Sequence, residues 1–255
     1  MATSSELTDS QLLQFSRQLM LPQIDVEGQL KLFNANILVL GAGGLGCPAL
    51  AYLASCGVGN IIIVDPDIVE LSNIQRQILF DVSDTGENKA YVAEQKIQKF
   101  NPDLKLRSLT TIPEQEELMA LFSQADVVLD GTDNFSSRYR HNQISVETNT
   151  PLVSGAVIRF EGQLTCFDHR NVDAPCYHCL YPDGQDEQLN CSENGVLGSV
   201  AGLVGTMMAT EAIKLVLGIG ESLSGKLLLL DALNMEWRTV GLSKDSSCSV
   251  CSKYK

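Results

Sequence analysis

Positive charge is scarce in this chain, and histidine is scarcer. Against 31 Asp and Glu stand 18 Lys and Arg, a formal net charge of −13. Such a surface repels nucleic-acid backbones and anionic lipid, so neither is an expected partner. Any phosphate ligand must then meet positive charge gathered locally. The three histidines, His141, His169 and His178, read as surface or metal-loop residues and not as catalysts. Residues 1–7 lack the basic flank and apolar stretch of a secretion signal, so the chain is expected in the cytoplasm, where thiols stay reduced. The one long apolar run, residues 196–218, is interrupted by Glu211 and Lys214 and thinned by Gly198, Gly202 and Gly205. It predicts a buried helix packed closely through its glycines, and no membrane span. No internal repeat stands out, and no linker is long enough to separate domains. With 255 residues, 44% of them hydrophobic, one large domain over 1–255 is the simplest organisation.

What is present is chemically pointed. Cys176-Tyr177-His178-Cys179 and Cys248-Ser249-Val250-Cys251 form two C-x-x-C knuckles. Four thiolates in two such pairs suit tetrahedral zinc and leave no position for water, which predicts a structural staple; two disulfides are the alternative. Of the other cysteines, Cys47, Cys56 and Cys166 fall in apolar elements and read as small buried hydrophobes. Cys191 differs, because it lies in the polar segment 181–195, which predicts an exposed loop.

Along the chain, Thr8 with Gln11 makes a capping-box pattern opening an amphipathic helical arm over about 8–21, with Arg17 off its apolar face and Pro22 as its stop. Strand patterns at 36–40, 61–65, 105–109, 127–130 and 152–155 alternate with helix patterns at 45–56, 89–100, 114–122 and 135–147. That alternation predicts an α/β fold: a doubly wound, Rossmann-like, mainly parallel sheet. Beyond residue 156 the pattern changes. A hairpin is expected around Glu161-Gly162, and strands over 226–230 and 237–242 would extend the sheet antiparallel, with the zinc site tying its edge.

Gly41-Ala42-Gly43-Gly44-Leu45-Gly46 follows the first strand and opens a helix, the spacing at which backbone approaches phosphate over a helix N-terminus. Asp65 closes the second strand, where a carboxylate accepts from a ribose. This much fits NAD as well as ATP. Arg76, Lys89 and Asp133 discriminate: a hydride-transfer enzyme needs no cation cluster and metal-binding acid beside the pyrophosphate, whereas phosphoryl chemistry does. In a doubly wound sheet Asp133 follows the fourth strand at its carboxyl end, placed to hold Mg²⁺. Against this stand plainer readings: Arg76 and Lys89 as solvated charges, Asp133 as the N-cap of the next helix, and Arg17 as an apolar stem over a helix.

Together, Arg17-Gln18, the glycine loop, Asp65-Pro66-Asp67, Ser72-Asn73-Ile74-Gln75-Arg76-Gln77, Lys89, Asp130-Gly131-Thr132-Asp133-Asn134 and the two knuckles resemble the ubiquitin-activating-enzyme-like family. They are most similar to the bacterial adenylyltransferases of sulfur-carrier proteins in molybdopterin and thiazole biosynthesis, over about residues 15–251. The resemblance implies that ATP and the C-terminal glycine carboxylate of a small ubiquitin-like protein ending in Gly-Gly give an acyl-adenylate and pyrophosphate. It implies that Gly41, Gly43, Gly44 and Gly46 cradle ATP, that Asp65 binds ribose, that Asn73, Arg76 and Lys89 bind phosphates, and that Asp133 holds magnesium. It also implies a homodimer, in which Arg17 reaches the partner subunit's site; a sulfur-donor protein is a further candidate partner, its identity not given by the sequence. In some relatives the cysteine matching Cys191 bonds covalently to the carrier; others adenylate without it. A carboxylate is already ionised at pH 7, so the chemistry requires no general base. The competing functions are an NAD-dependent oxidoreductase and a non-catalytic scaffold that binds a ubiquitin-like protein.

Overall fold

In a computed structural model, the chain is described over residues 6–184 and 195–253. Eight strands form one sheet in the order β3-β2-β1-β4-β5-β6-β7-β8. The parallel half comprises β1 (Asn36–Leu40), β2 (Asn60–Val64), β3 (Lys105–Leu109), β4 (Val127–Asp130) and β5 (Leu152–Ile158). Antiparallel pairing then adds β6 (Glu161–Phe167), β7 (Lys226–Asp231) and β8 (Glu236–Gly241). This is the doubly wound sheet with an antiparallel extension that the alternating pattern predicts.

Helices cover both faces of the parallel half, so β1 and β4 are buried nearly end to end. One core gathers Leu50, Leu53, Ile61, Ile63, Val127, Val204 and Met208 between the sheet, α4 (Gly46–Ser55), α5 (Lys89–Ile97) and α9 (Gly198–Leu217). The other face packs Leu38, Leu40, Phe122, Ile144 and Phe167 against α6 (Gln115–Gln124) and α7 (Phe135–Thr148). Helix α9 is long and apolar enough to cross a membrane, yet it is a core helix lying on α4, β5 and β6. Of its expected packing glycines, Gly198 and Gly205 qualify: a Cβ there would sit 2.3 Å from the carbonyls of Gln75 and Leu45 respectively. Gly202 faces open space.

Three local expectations are corrected. The Thr8–Gln11 capping box forms, but the arm breaks at Phe15 into α1 (Asp9–Gln14) and α2 (Ser16–Leu19). Phe15 is buried edge-on against Phe33, while Leu13 and Met20 stay exposed, so one tertiary contact outweighs the apolar stripe. A further helix, α3 (Asp25–Asn34), follows where the arm was to stop, and buries Gln29 and Leu32. The hairpin turns at Arg159-Phe160, with Arg159 left-handed at φ 53°, and not at Glu161-Gly162. Gly162 is held inside β6 because a Cβ there would meet Val204 of α9 at 2.7 Å.

Candidate nucleotide site and metal centre

The sheet order reverses between β1 and β4, and there a cleft of about 1020 Å³ opens at the strands' carboxyl ends, the crevice where open α/β sheets take ligands. Its floor is the glycine turn. Gly41 sits at φ +90°, where side chains are strained, and a Cβ on Gly46 would lie 2.0 Å from the Gly41 carbonyl. Backbone is therefore all that can occupy the turn, and the α4 N-terminus faces the cleft. Asp65, buried at the end of β2, accepts from Ala42 N at 2.7 Å and from Asp67 N at 2.9 Å, locking the two loops together. Burial holds its pKa above the ordinary carboxylate value, and Lys89 and these backbone donors offset that only in part.

The structure brings most of the expected residues to this cleft. Gly41, Gly43, Gly44, Asp65, Asn73, Arg76, Lys89 and Asp133 line it. Lys89 is no solvated charge: it is 7% exposed, and its Nζ lies 2.9 Å from Asp67 Oδ2. Arg76 leans its stem on Gly44 and donates to Ser72 O at 3.1 Å. Asp133 stands exposed on the rim and is not the helix cap, because Asn134 accepts from Ser137 N in that role. Arg17 is exposed on α2 and lies outside the lining of its own chain's cleft. Cys191 lies outside the described residues.

Two expectations about thiols and histidines part company here. Cys47 and Cys166 are fully buried, and burial pushes the Cys47 thiol up to about 12 and Cys166 higher still, as inert small hydrophobes require. Cys56 is only half-buried. His141, expected at the surface or in the metal loop, is buried, with Nδ1 2.9 Å from Asp130 Oδ2. Nothing in its sequence neighbourhood marks it, since the partner is eleven residues away.

Behind the Asp133 turn lies a layer that sequence reasoning missed. Asp130, at the end of β4, also accepts from Thr132 N at 3.0 Å and Thr132 Oγ1 at 2.6 Å. Burial alone would push its carboxyl up, but His141, Arg138 and Thr132 together bring it well below the usual carboxylate range. Arg138, Arg140 and Gln77 line the cleft as well.

Away from the cleft, the four knuckle sulfurs converge within 4.8 Å of one another. The Cys176–Cys179, Cys176–Cys248 and Cys179–Cys251 sulfur pairs are 3.9, 3.7 and 3.5 Å apart. Those are far from a disulfide length of about 2.05 Å and close to the edge of about 3.8 Å that a tetrahedron with 2.3 Å metal–sulfur bonds would have. Burial and Cys179 push the Cys176 thiol up to about 12. In Cys248 burial is overcome by backbone donors at Cys251 and Val250, and its thiol falls to about 7. Four such sulfurs can ionise together only around a shared cation, so the donor set fits one tetrahedral metal ion.

A model of the ThiF family matches residues 15–250. The chain is 42% identical over 245 residues to the sulfur carrier protein ThiS adenylyltransferase of Escherichia coli K12, covering 96% of this chain and 97% of that one. It is 39% identical over 247 residues to the molybdopterin-synthase adenylyltransferase of the same organism, covering 97% and 99%. Among solved structures, a crystal structure of E. coli MccB with ATP superposes at a TM-score of 0.80 with 23% identity, covering 94% of this chain and 74% of that one, a likeness of fold.

Proposed function

The chain belongs to the ThiF family, and from that premise we propose that it adenylates the C-terminal glycine carboxylate of a small ubiquitin-like sulfur-carrier protein. The observation that carries this reading is the convergence of Arg76, Lys89 and Asp133 on one glycine turn at the sheet's reversal point. An NAD-dependent oxidoreductase would leave these groups without a task, and a scaffold would not need them.

On this reading Gly41, Gly43, Gly44 and Gly46 admit the triphosphate against backbone, and Asp65 accepts from the ribose. Asn73, Arg76 and Lys89 spread over the phosphates. Asp133, with Asn134 serving as helix cap, is the carboxylate that would hold magnesium; when bound, that ion neutralises and orients the phosphates. A carboxylate oxygen of the carrier's last glycine attacks the α-phosphorus, the bond to the β-phosphate oxygen breaks, and pyrophosphate leaves with its electron pair. The product is an acyl-adenylate, and no proton moves. The cost to overcome is repulsion between two anions, so the work of the site is charge neutralisation and in-line alignment.

The exposure of Arg17 outside its own cleft supports a homodimer in which it serves the partner subunit's site. The four-cysteine centre is read as structural zinc, and residues 1–255 as a single adenylating unit acting in the reducing cytoplasm. We also propose Cys191 as the thiol that receives the activated tail: its sulfur attacks the acyl carbon and AMP departs, and sulfide-level sulfur from a donor protein then attacks the same carbon, releasing the Cys191 thiolate and leaving the thiocarboxylate. Relatives named for ThiS and for molybdopterin synthase leave thiazole and molybdenum cofactor synthesis as the two candidate pathways. Mass spectrometry of each Gly-Gly carrier incubated with ATP and this protein tests the reading. The true carrier gains an AMP adduct, and no adduct on either sinks the proposal.

A further inference from the structure

Arg138 joins the cleft to the four-cysteine centre. It is 2% exposed, in the first turn of α7, where the helix dipole opposes a cation. Its guanidinium is held by named partners: Nη1 donates to Ser154 Oγ at 2.8 Å, and Nη2 donates to Gly155 O at 2.7 Å and to Thr132 O. Thr132 directly precedes Asp133. The guanidinium carbon also lies 5.9 Å from the centroid of the Tyr177 ring, within cation–π range. Tyr177 is the residue after Cys176 in the first knuckle, α8 (Tyr177–Leu180), and its backbone N–H donates to Asn142 Oδ1 of α7 at 2.8 Å. One buried side chain thus grips the turn bearing Asp133 with its fork and rests its charge on a ring carried by the metal knuckle.

We propose that Arg138 is a positioning residue for the Asp133 turn and that Tyr177 sets it, so that the metal in the four-cysteine centre tunes how tightly the cleft holds a divalent ion with ATP. The inference rests on the reading of Asp133 as the carboxylate for that ion. If the knuckle loosens, the ring moves, the buried guanidinium loses one face of its site, and the Thr132 carbonyl loses its donor. Asp133 then samples several positions, and ion affinity falls while nucleotide contacts through Asp65 and the glycine turn persist.

The test is Mn²⁺ binding to the full chain in the presence of a non-hydrolysable ATP analogue, followed by electron paramagnetic resonance, with folding checked by circular dichroism. Arg138→Lys keeps the charge but loses the fork, and Tyr177→Leu loses the ring; each is expected to weaken Mn²⁺ binding about tenfold, or about 1.4 kcal/mol. Tyr177→Phe keeps the ring and is expected to bind as the wild type does. Stripping the four-cysteine metal with a chelator should give a similar loss, and one that does not add to that of Tyr177→Leu. Wild-type affinity in Arg138→Lys, with Asp133→Asn weakened, overturns the inference alone; wild-type affinity in Asp133→Asn overturns the parent reading with it. Should Tyr177→Leu fail to fold, Arg138→Lys decides.

Discussion

The two halves of the sheet handle exposure in opposite ways. In the parallel half, β1 and β4 are buried between helical layers, and the ligand surface is a backbone turn with buried charges behind it. In the antiparallel half, all six residues of β8 are exposed, and Leu233, Met235 and Trp237 present apolar side chains to the outside. On the proposed reading the nucleotide would be met by backbone and buried charge, and a protein partner by side chains standing on a strand. Yet Leu229, Leu230, Asp231, Glu236 and Arg238 line the same cleft as Gly41, so the two surfaces are continuous and a tail laid across β7 and β8 leads to the nucleotide turn.

The comparison breaks most sharply at the metal. If the antiparallel half depends on the four-cysteine tie, Cys248→Ser or exhaustive chelation should cost several kcal/mol of stability and lower the melting temperature markedly. Metal analysis should fall from one zinc per chain to none. A protein that melts unchanged without metal would mean that the sheet extension stands unaided. Next in size, Lys89→Ala should lower carrier-dependent ATP–pyrophosphate exchange by roughly 10²–10³-fold, the usual effect of removing one preorganised charge at a site of developing charge. Asp67, the partner of Lys89, keeps a side-chain exposure of 66%, so its carboxylate can be re-solvated without unfolding the loop. Exchange kinetics together with a melting curve separate catalysis from stability; exchange within twofold of wild type would remove Lys89 from the site.

What was legible in the sequence is what the backbone dictates locally. The glycine turn, the strand alternation and the C-x-x-C spacing each encode geometry within a few residues, and each appears where expected. The misses are tertiary. Phe15 breaks a helix to reach Phe33, 18 residues on, and Gly162 stays in a strand because of Val204, 42 residues on, and no local pattern or spacing announces either contact. His141 and Arg138 lie on α7 among polar residues with no periodicity to single them out, and only the fold carries Asp130, Ser154 and Tyr177 to them. The site's contact surface could be read from motifs; the layer supporting it could not.

A smaller effect sharpens the contrast on the exposed side. Trp237→Ala should raise the KM for the carrier about tenfold, or about 1.4 kcal/mol, as expected of a large aromatic at a protein interface. The KM for ATP should stay unchanged, because Trp237 is 42% exposed on β8 and absent from the nucleotide turn. Steady-state kinetics varying each substrate in turn decide it, and a parallel change in both constants would place the carrier elsewhere.

The smallest effect returns to the buried side and depends on pH. Asp130 has a folded pKa held below its ordinary 3.8 by His141, Arg138 and Thr132 against the pull of burial. A depressed carboxylate contributes stability that is fully present above the unfolded value and is lost as pH falls through the folded one. The difference in unfolding free energy between the wild type and Asp130→Asn should therefore be constant near neutrality, on the order of 1 kcal/mol, and shrink as pH drops below about 4. Asparagine keeps an acceptor for Thr132 and carries no charge, so the pH-dependent part reports the net stabilisation of the charged carboxylate by ion pair and hydrogen bonds together. Urea titrations from pH 6 down to pH 3 measure it. A difference that stays flat throughout would mean that the folded carboxyl titrates as the unfolded one does, with burial cancelling all that His141, Arg138 and Thr132 contribute.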